Sequence, residues 1–137
     1  MRLSHPLRAV TATAAGALAL GALPAAASAS PARPLPHGVV RLADSRPCPR
    51  AVLCLYRDYG RSGPAYAVRP GYPVELSRLP MSGRTAANNV SSWVNNTRWR
   101  VVLVDTDRHT AHVVGPRSGY EEPWSNNDTE DLVLWLP

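Results

Sequence analysis

The stretch AANNVSSWVNNT, residues 86–97, decides how the chain is read. It sets four asparagines and two adjacent serines around Val90, Trp93 and Val94. Asparagine and serine side chains hydrogen-bond to nearby backbone and so favour turns over regular structure. Yet Val90, Ser92 and Val94 alternate with Ser91, Trp93 and Asn95, the period-two pattern of a strand. A polar loop that feeds a strand reconciles the two. Strict alternation puts Trp93 on the face opposite Val90 and Val94, which predicts a partly exposed indole.

The same punctuation runs outward in both directions. AVLCLYRDY (51–59), AYAV (65–68) and PVEL (73–76) precede it; WRVVLVD (99–105), TAHVVG (110–115), GYEEPW (119–124) and DLVLWLP (131–137) follow. Turn residues separate them at Gly60, Gly63, Gly71, Asp107, Gly115–Pro116 and Asn126–Asn127, and SRLPMSGRTAA (77–87) reads as a longer loop. With 89–95, this predicts about eight short strands and an all-β sandwich or barrel. The two halves read as a repeat. Cys54–Leu55–Tyr56 answers Val102–Leu103–Val104, and ANNVSSWV at Ala87 answers NDTEDLVL at Asn127, an offset of 40 residues. Four strands, twice, is the pattern of paired Greek keys.

The ends carry other information. Residues 1–29 have Arg2 and Arg8, then the uncharged run Ala9–Leu23, then small residues with Ala27 and Ala29 in A-x-A positions. That order predicts a secretory signal peptide cleaved after Ala29. The run is too short and too rich in Ala, Gly and Thr for a transmembrane span. Residues 30–47, rich in Pro, Ala and Arg, are expected to form a flexible leader, with a short extended piece near Gly38–Leu42. The folded domain is then 48–137. Cys48 and Cys54 are the only cysteines, and in an exported chain their close spacing suggests one intrachain disulfide.

Composition excludes several classes of function. Every basic residue is arginine, and removal of Arg2 and Arg8 lowers the net charge from +5 to +3. The arginines are scattered, so a nucleic-acid partner is not expected. His109 and His112 fall in a hairpin rather than on one helix face, and lack the helical zinc-peptidase motif. Glu121–Glu122 alone define no acid/base site, and no serine has a nucleophile-elbow context. Enzymatic activity is not expected. Trp93, Trp99, Trp124 and Trp135 leave open a carbohydrate-binding or cell-wall-binding platform, if they share a face.

The segments CPRAVLCLYRDYG and ANNVSSWVNNT resemble the secreted microbial peptidase-inhibitor family with a βγ-crystallin-like fold, whose type members inhibit metallopeptidases. The resemblance rests on Cys48–Pro49, Cys54–Leu55–Tyr56, Tyr59–Gly60 and Asn88–Ser92, and is weaker after Val101. It implies a sandwich of two Greek keys, a disulfide-bonded monomer, and an extracellular peptidase as partner. It also aligns 87–92 and 127–132 with the paired polar loops that hold calcium in some relatives. Here Ala87, Asp131 and Leu132 depart from the loop pattern, and no cofactor is expected. If calcium does bind, Asn88, Ser91, Asp128 and Asp131 are the side chains to supply oxygen; a calcium-binding structural module is thus an alternative function. For inhibition, the exposed-loop candidates are Gly60–Pro64 and Ser77–Thr85, the latter with Leu79, Pro80 and Met81 as contact residues.

Overall fold

Alternation along the chain translates into eleven strands among the described residues of the computed structural model, which are 33–137. The expected signal peptide lies outside them. The strands are β1 (Val39–Leu42), β2 (Leu53–Asp58), β3 (Ser62–Val68), β4 (Val74–Glu75), β5 (Pro80–Met81), β6 (Arg84–Thr85), β7 (Ser92–Asn95), β8 (Arg100–Asp105), β9 (Thr110–Val114), β10 (Ser118–Glu121) and β11 (Leu132–Leu136). One sheet has the order β1-β3-β2-β7-β10, the second β4-β11-β8-β9, and β5 pairs with β6 as a separate hairpin. No helix of the described residues is long and apolar enough to cross a membrane.

The two halves exchange their third strands. β2, β3 and β7 lie in the first sheet, but β4 pairs with β11 in the second. Conversely β8, β9 and β11 lie in the second sheet, but β10 pairs with β7 in the first. The repeat extends to the backbone: the Ser91 N–H donates to the Tyr56 carbonyl at 3.1 Å, and the Asp131 N–H donates to the Val104 carbonyl at 2.8 Å. Those are the positions that the 40-residue offset and the strand match equate.

Between the sheets lie Leu53, Leu55, Tyr66, Val68, Trp93, Val101, Leu103 and Val133, all essentially inaccessible. Trp93 corrects the expectation of a partly exposed ring. It pairs across strands with Leu55 and Tyr120 and has no exposed surface. Alternation is present in β7, but both faces of this sheet are covered, so it does not sort buried from exposed. The outer face holds Leu42, Cys54, Tyr56, Ala65, Ala67 and Val94 under a strap that includes Cys48 and Val52.

That strap also moves the domain boundary. β1 pairs with β3 from Val39↔Val68 to Leu42↔Ala65, so the folded unit starts well before Cys48 and the segment 33–47 is not a free leader. Pro is absent from Val39–Leu42 itself, which leaves its donors free for an edge ladder. The strap is fastened by the Tyr56 hydroxyl, which donates to the Arg46 carbonyl at 2.8 Å, and by a Cys48–Cys54 disulfide. A bridge closing so short a loop contributes roughly 2 kcal/mol by restricting the unfolded chain. Replacing both cysteines by serine is therefore expected to lower urea-unfolding stability by about 2 kcal/mol, measured against the oxidised protein.

Candidate functional site

One pole of the sandwich gathers the loops 57–63, 82–92, 105–110 and 121–131. The β2–β3 turn there is locked at both ends. Gly60, Arg61 and Gly63 have φ of 66°, 61° and 74°. The Arg61 N–H donates to Ser92 Oγ at 3.1 Å, and that hydroxyl donates to the Asp58 carbonyl at 2.7 Å. A Cβ at Gly63 would stand 2.2 Å from Asp58 Oδ2, so only glycine fits. Arg57 holds Asp58 through two hydrogen bonds at 2.8 and 2.9 Å and reaches Ser82 Oγ at 2.8 Å. It thereby ties this turn to the β5–β6 hairpin.

The hairpin turns through Ser82 and Gly83, both at positive φ, as a two-residue connection requires. Leu79 and Met81 have no exposed surface, which corrects their assignment as contact residues. Both sit beside strand pairings that aim them at the core, and only Pro80 of the three is exposed. Tyr66 Oη donates to the Pro80 carbonyl, and Asn89 Nδ2 reaches the carbonyls of Met81 and Thr85 at 3.3 and 3.2 Å. The buried pair thus anchors a rigid tip, Ser82–Arg84, instead of being presented. The other loop candidate, Gly60–Pro64, keeps Gly60 and Arg61 at the surface.

The two repeat loops cross beside these turns. Asn88 and Asp128, equivalent by the offset, take φ of 52° and 54°. Asn88 Nδ2 donates to Asp131 Oδ1 at 2.8 Å, and Ser91 Oγ donates to Asp128 Oδ1 at 3.0 Å. The four sequence candidates for calcium therefore form two crossed pairs between the loops, Asn88 with Asp131 and Ser91 with Asp128. Their surroundings differ. Asp131 Oδ2 also accepts from the N–H and hydroxyl of Thr106 and lies in a cluster with Asp105 and Asp107 whose oxygens are within 4.8 Å of one another. Asp105 Oδ2 is buried without a hydrogen-bond partner. The Asp131 end thus offers the donor set a hard cation takes, whereas Ser91–Asp128 brings one carboxylate and one hydroxyl.

Sequence reasoning did not single out Trp124 as a lone apolar contact. It is 86% exposed and stacks on Tyr59, with ring centroids 4.6 Å apart and planes 20° apart. The available signal was its place in EEPWSNN, where Pro123 and the asparagines deny it a strand. The four tryptophans do not form one platform: Trp93 is buried, Trp124 stands at this pole, and Trp99 and Trp135 line a cleft at the other. His112 stacks on Tyr120 at 3.7 Å, and His109 is exposed at the β8–β9 turn, so the histidines do not converge.

The loop 121–131 also carries two buried acids. Glu122 is 2% exposed; its Oε2 accepts from the Thr129 N–H at 3.3 Å and its Oε1 has no partner. Burial, then Glu130, pushes its pKa from 4.5 up to about 8. Glu130 is pushed from 4.5 to about 7 by burial, then by Asp105 and Asp131. A carboxyl raised in the folded state binds its proton more tightly there than in the unfolded chain. The resulting stability is complete below pH 4.5 and is lost as pH rises through about 8. The contribution of these groups is thus expected to lower the melting temperature from pH 5 to pH 8 (about the span of the shifts). Glu122→Gln should flatten that slope; an unchanged slope would contradict it.

Comparison with known proteins agrees with this architecture. The model of peptidase inhibitor family I36 matches residues 42–112, from the end of β1 into β9. A solved structure concerned with the evolution of the eye-lens βγ-crystallin domain fold superposes with a TM-score of 0.55 at 16% identity. The match covers 72% of this chain and 96% of that one, and it identifies the fold. No curated protein matches the sequence. With over half its length matched, and with the two exchanged Greek keys of a βγ-crystallin-like domain, the chain belongs to peptidase inhibitor family I36 and is an inhibitor rather than an enzyme.

Proposed function

We propose that the chain is a secreted, monomeric inhibitor of an extracellular metallopeptidase, and that it meets its target with the pole of clamped loops. The observation that carries the surface assignment is Trp124, a large ring 86% exposed that stacks on Tyr59 next to the hydrogen-bonded Gly60–Ser62 turn. Exposed aromatic residues on rigid supports are the usual energetic centres of interfaces. Tyr59 holds the indole by stacking, Arg57 joins the Gly60–Ser62 turn to the Ser82–Arg84 tip, and little chain entropy remains to be lost on docking. An apolar indole suits the apolar side-chain pocket of a thermolysin-like peptidase. Secretion is supported by the disulfide and by the order of charges and small residues in 1–29.

Titration of thermolysin-like metallopeptidases, then of serine peptidases, tests the target. Saturable inhibition of the first group is expected. Trp124→Ala should weaken it by roughly thirtyfold, the size of a ~2 kcal/mol hot spot, without change in melting temperature. Digestion of the protein with no slowing of turnover in any metallopeptidase would overturn the reading. Because Asn88, Ser91, Asp128 and Asp131 already satisfy one another, we also propose that the pole is held without calcium. Melting in chelator and in excess calcium should agree. A calcium-dependent rise abolished by Asp131→Asn would assign the ion to the Asp131 end.

A further inference from the structure

The opposite pole carries a second surface with a different chemistry. β2 and β8 begin there, β3, β7 and β11 end there, and the β3–β4 connection crosses it. Two adjoining clefts of about 1020 and 730 Å³ open among these segments and share Arg50, Ala51, Pro70 and Trp99. The larger has apolar walls in which Tyr72, Trp99 and Trp135 are the large rings. The Trp135 indole N–H donates to the Tyr72 carbonyl at 2.9 Å, which fixes two of those walls to each other. The smaller is cationic, lined by Arg50, Arg98 and Arg117, and Arg69 stands at the larger. Among the described residues no acidic side chain lines either cleft, and none of these four arginines is paired with a carboxylate, although Pro137, the last residue, stands at the larger cleft.

Uncompensated guanidinium groups beside an apolar chamber ask for a ligand that is both acidic and apolar. Guanidinium matches carboxylate in shape and charge. A glycan with the same charge fits less well. Its hydroxyls would face Pro70, Pro73 and Leu134, which bring no side-chain donors. The flat rings that sugars stack on are also partly taken: Arg98 lies over Trp99 at 5.4 Å, and His37 packs on Tyr72 at 4.4 Å. We propose that this groove binds an acidic peptide segment carrying a large apolar side chain next to its carboxylates. The apolar side chain enters the larger cleft, and the carboxylates lie along the arginines of the smaller. The site is separate from the inhibitory pole and does not depend on which peptidase is bound there.

Fluorescence anisotropy of a labelled acetyl-Asp-Asp-Trp-Asp-Asp-amide peptide with the purified protein tests it. Saturable binding is expected at or below about 1 mM, weakening as salt screens the arginines. The pair Arg69→Glu with Arg98→Glu, both exposed, should weaken binding by about tenfold, with the melting temperature and peptidase inhibition unchanged. Tyr72→Ala should erase the preference for this peptide over one with glycine in place of tryptophan. Absence of saturable binding, equal binding of an all-lysine analogue, or unchanged affinity in the arginine variant would overturn the proposal. Tighter binding of an oligogalacturonate than of the peptide would overturn it in favour of a glycan.

Discussion

The fold depends on two loops that cross. Each enters its crossing through one residue at positive φ, Asn88 or Asp128, and each accepts or donates a side-chain hydrogen bond at the corner of the other. The backbone N–H groups of Ser91 and Asp131 then fix each loop to the strand of its own half. Side chains here do what neither half does alone. They tie the two halves together at one pole, above a core that still needs bulk. Trp93 and Tyr66 supply it, together with the aliphatic groups of β2, β8 and β11.

The same crossing explains why polar residues are dense at one pole. A sandwich of short strands has many chain reversals, and each reversal leaves backbone groups that a buried loop must satisfy. Here Ser92 serves two at once, accepting from Arg61 and donating to Asp58, and Asn89 serves two carbonyls of the adjoining hairpin. The pole is rigid because its polar side chains are occupied. The exceptions include three enclosed acids, Asp105, Glu122 and Glu130, each with one carboxyl oxygen unmet.

Much of this was legible in the sequence. The strand–turn rhythm gave an all-β chain, the 40-residue offset gave two related halves, and Cys48–Cys54 was readable from spacing and context. What was not legible has a common physical cause. Periodicity assigns faces but does not say which faces are covered, so Trp93 was placed outside although both sides of its sheet are buried. Leu79 and Met81 were placed at the surface because Gly and Pro surround them, yet those residues bend the chain so that the apolar pair points inward. The extended piece at Gly38–Leu42 was legible, but its proline-rich neighbours hid its pairing with β3. At the candidate site, Asn88, Ser91, Asp128 and Asp131 stood out as polar-loop residues, but their pairing and the exposure of Trp124 depend on contacts between distant segments. Local patterns do not encode those.

The exchange of third strands bears on how the chain acquires its structure. Val74 must find Val133, and Trp93 must find Tyr120, before either sheet has its full complement of strands. A first half emerging alone during synthesis lacks β10 at the edge of β7 and has no β11 for β4. It exposes unpaired edges and an uncovered apolar face until the second half arrives. Contacts so distant in sequence must overcome loop-closure entropy before they stabilise anything, which makes folding slow relative to a helical domain of equal size. The two halves are therefore duplicated in pattern but interdependent in assembly, since each lends a strand that pairs only in the other's sheet.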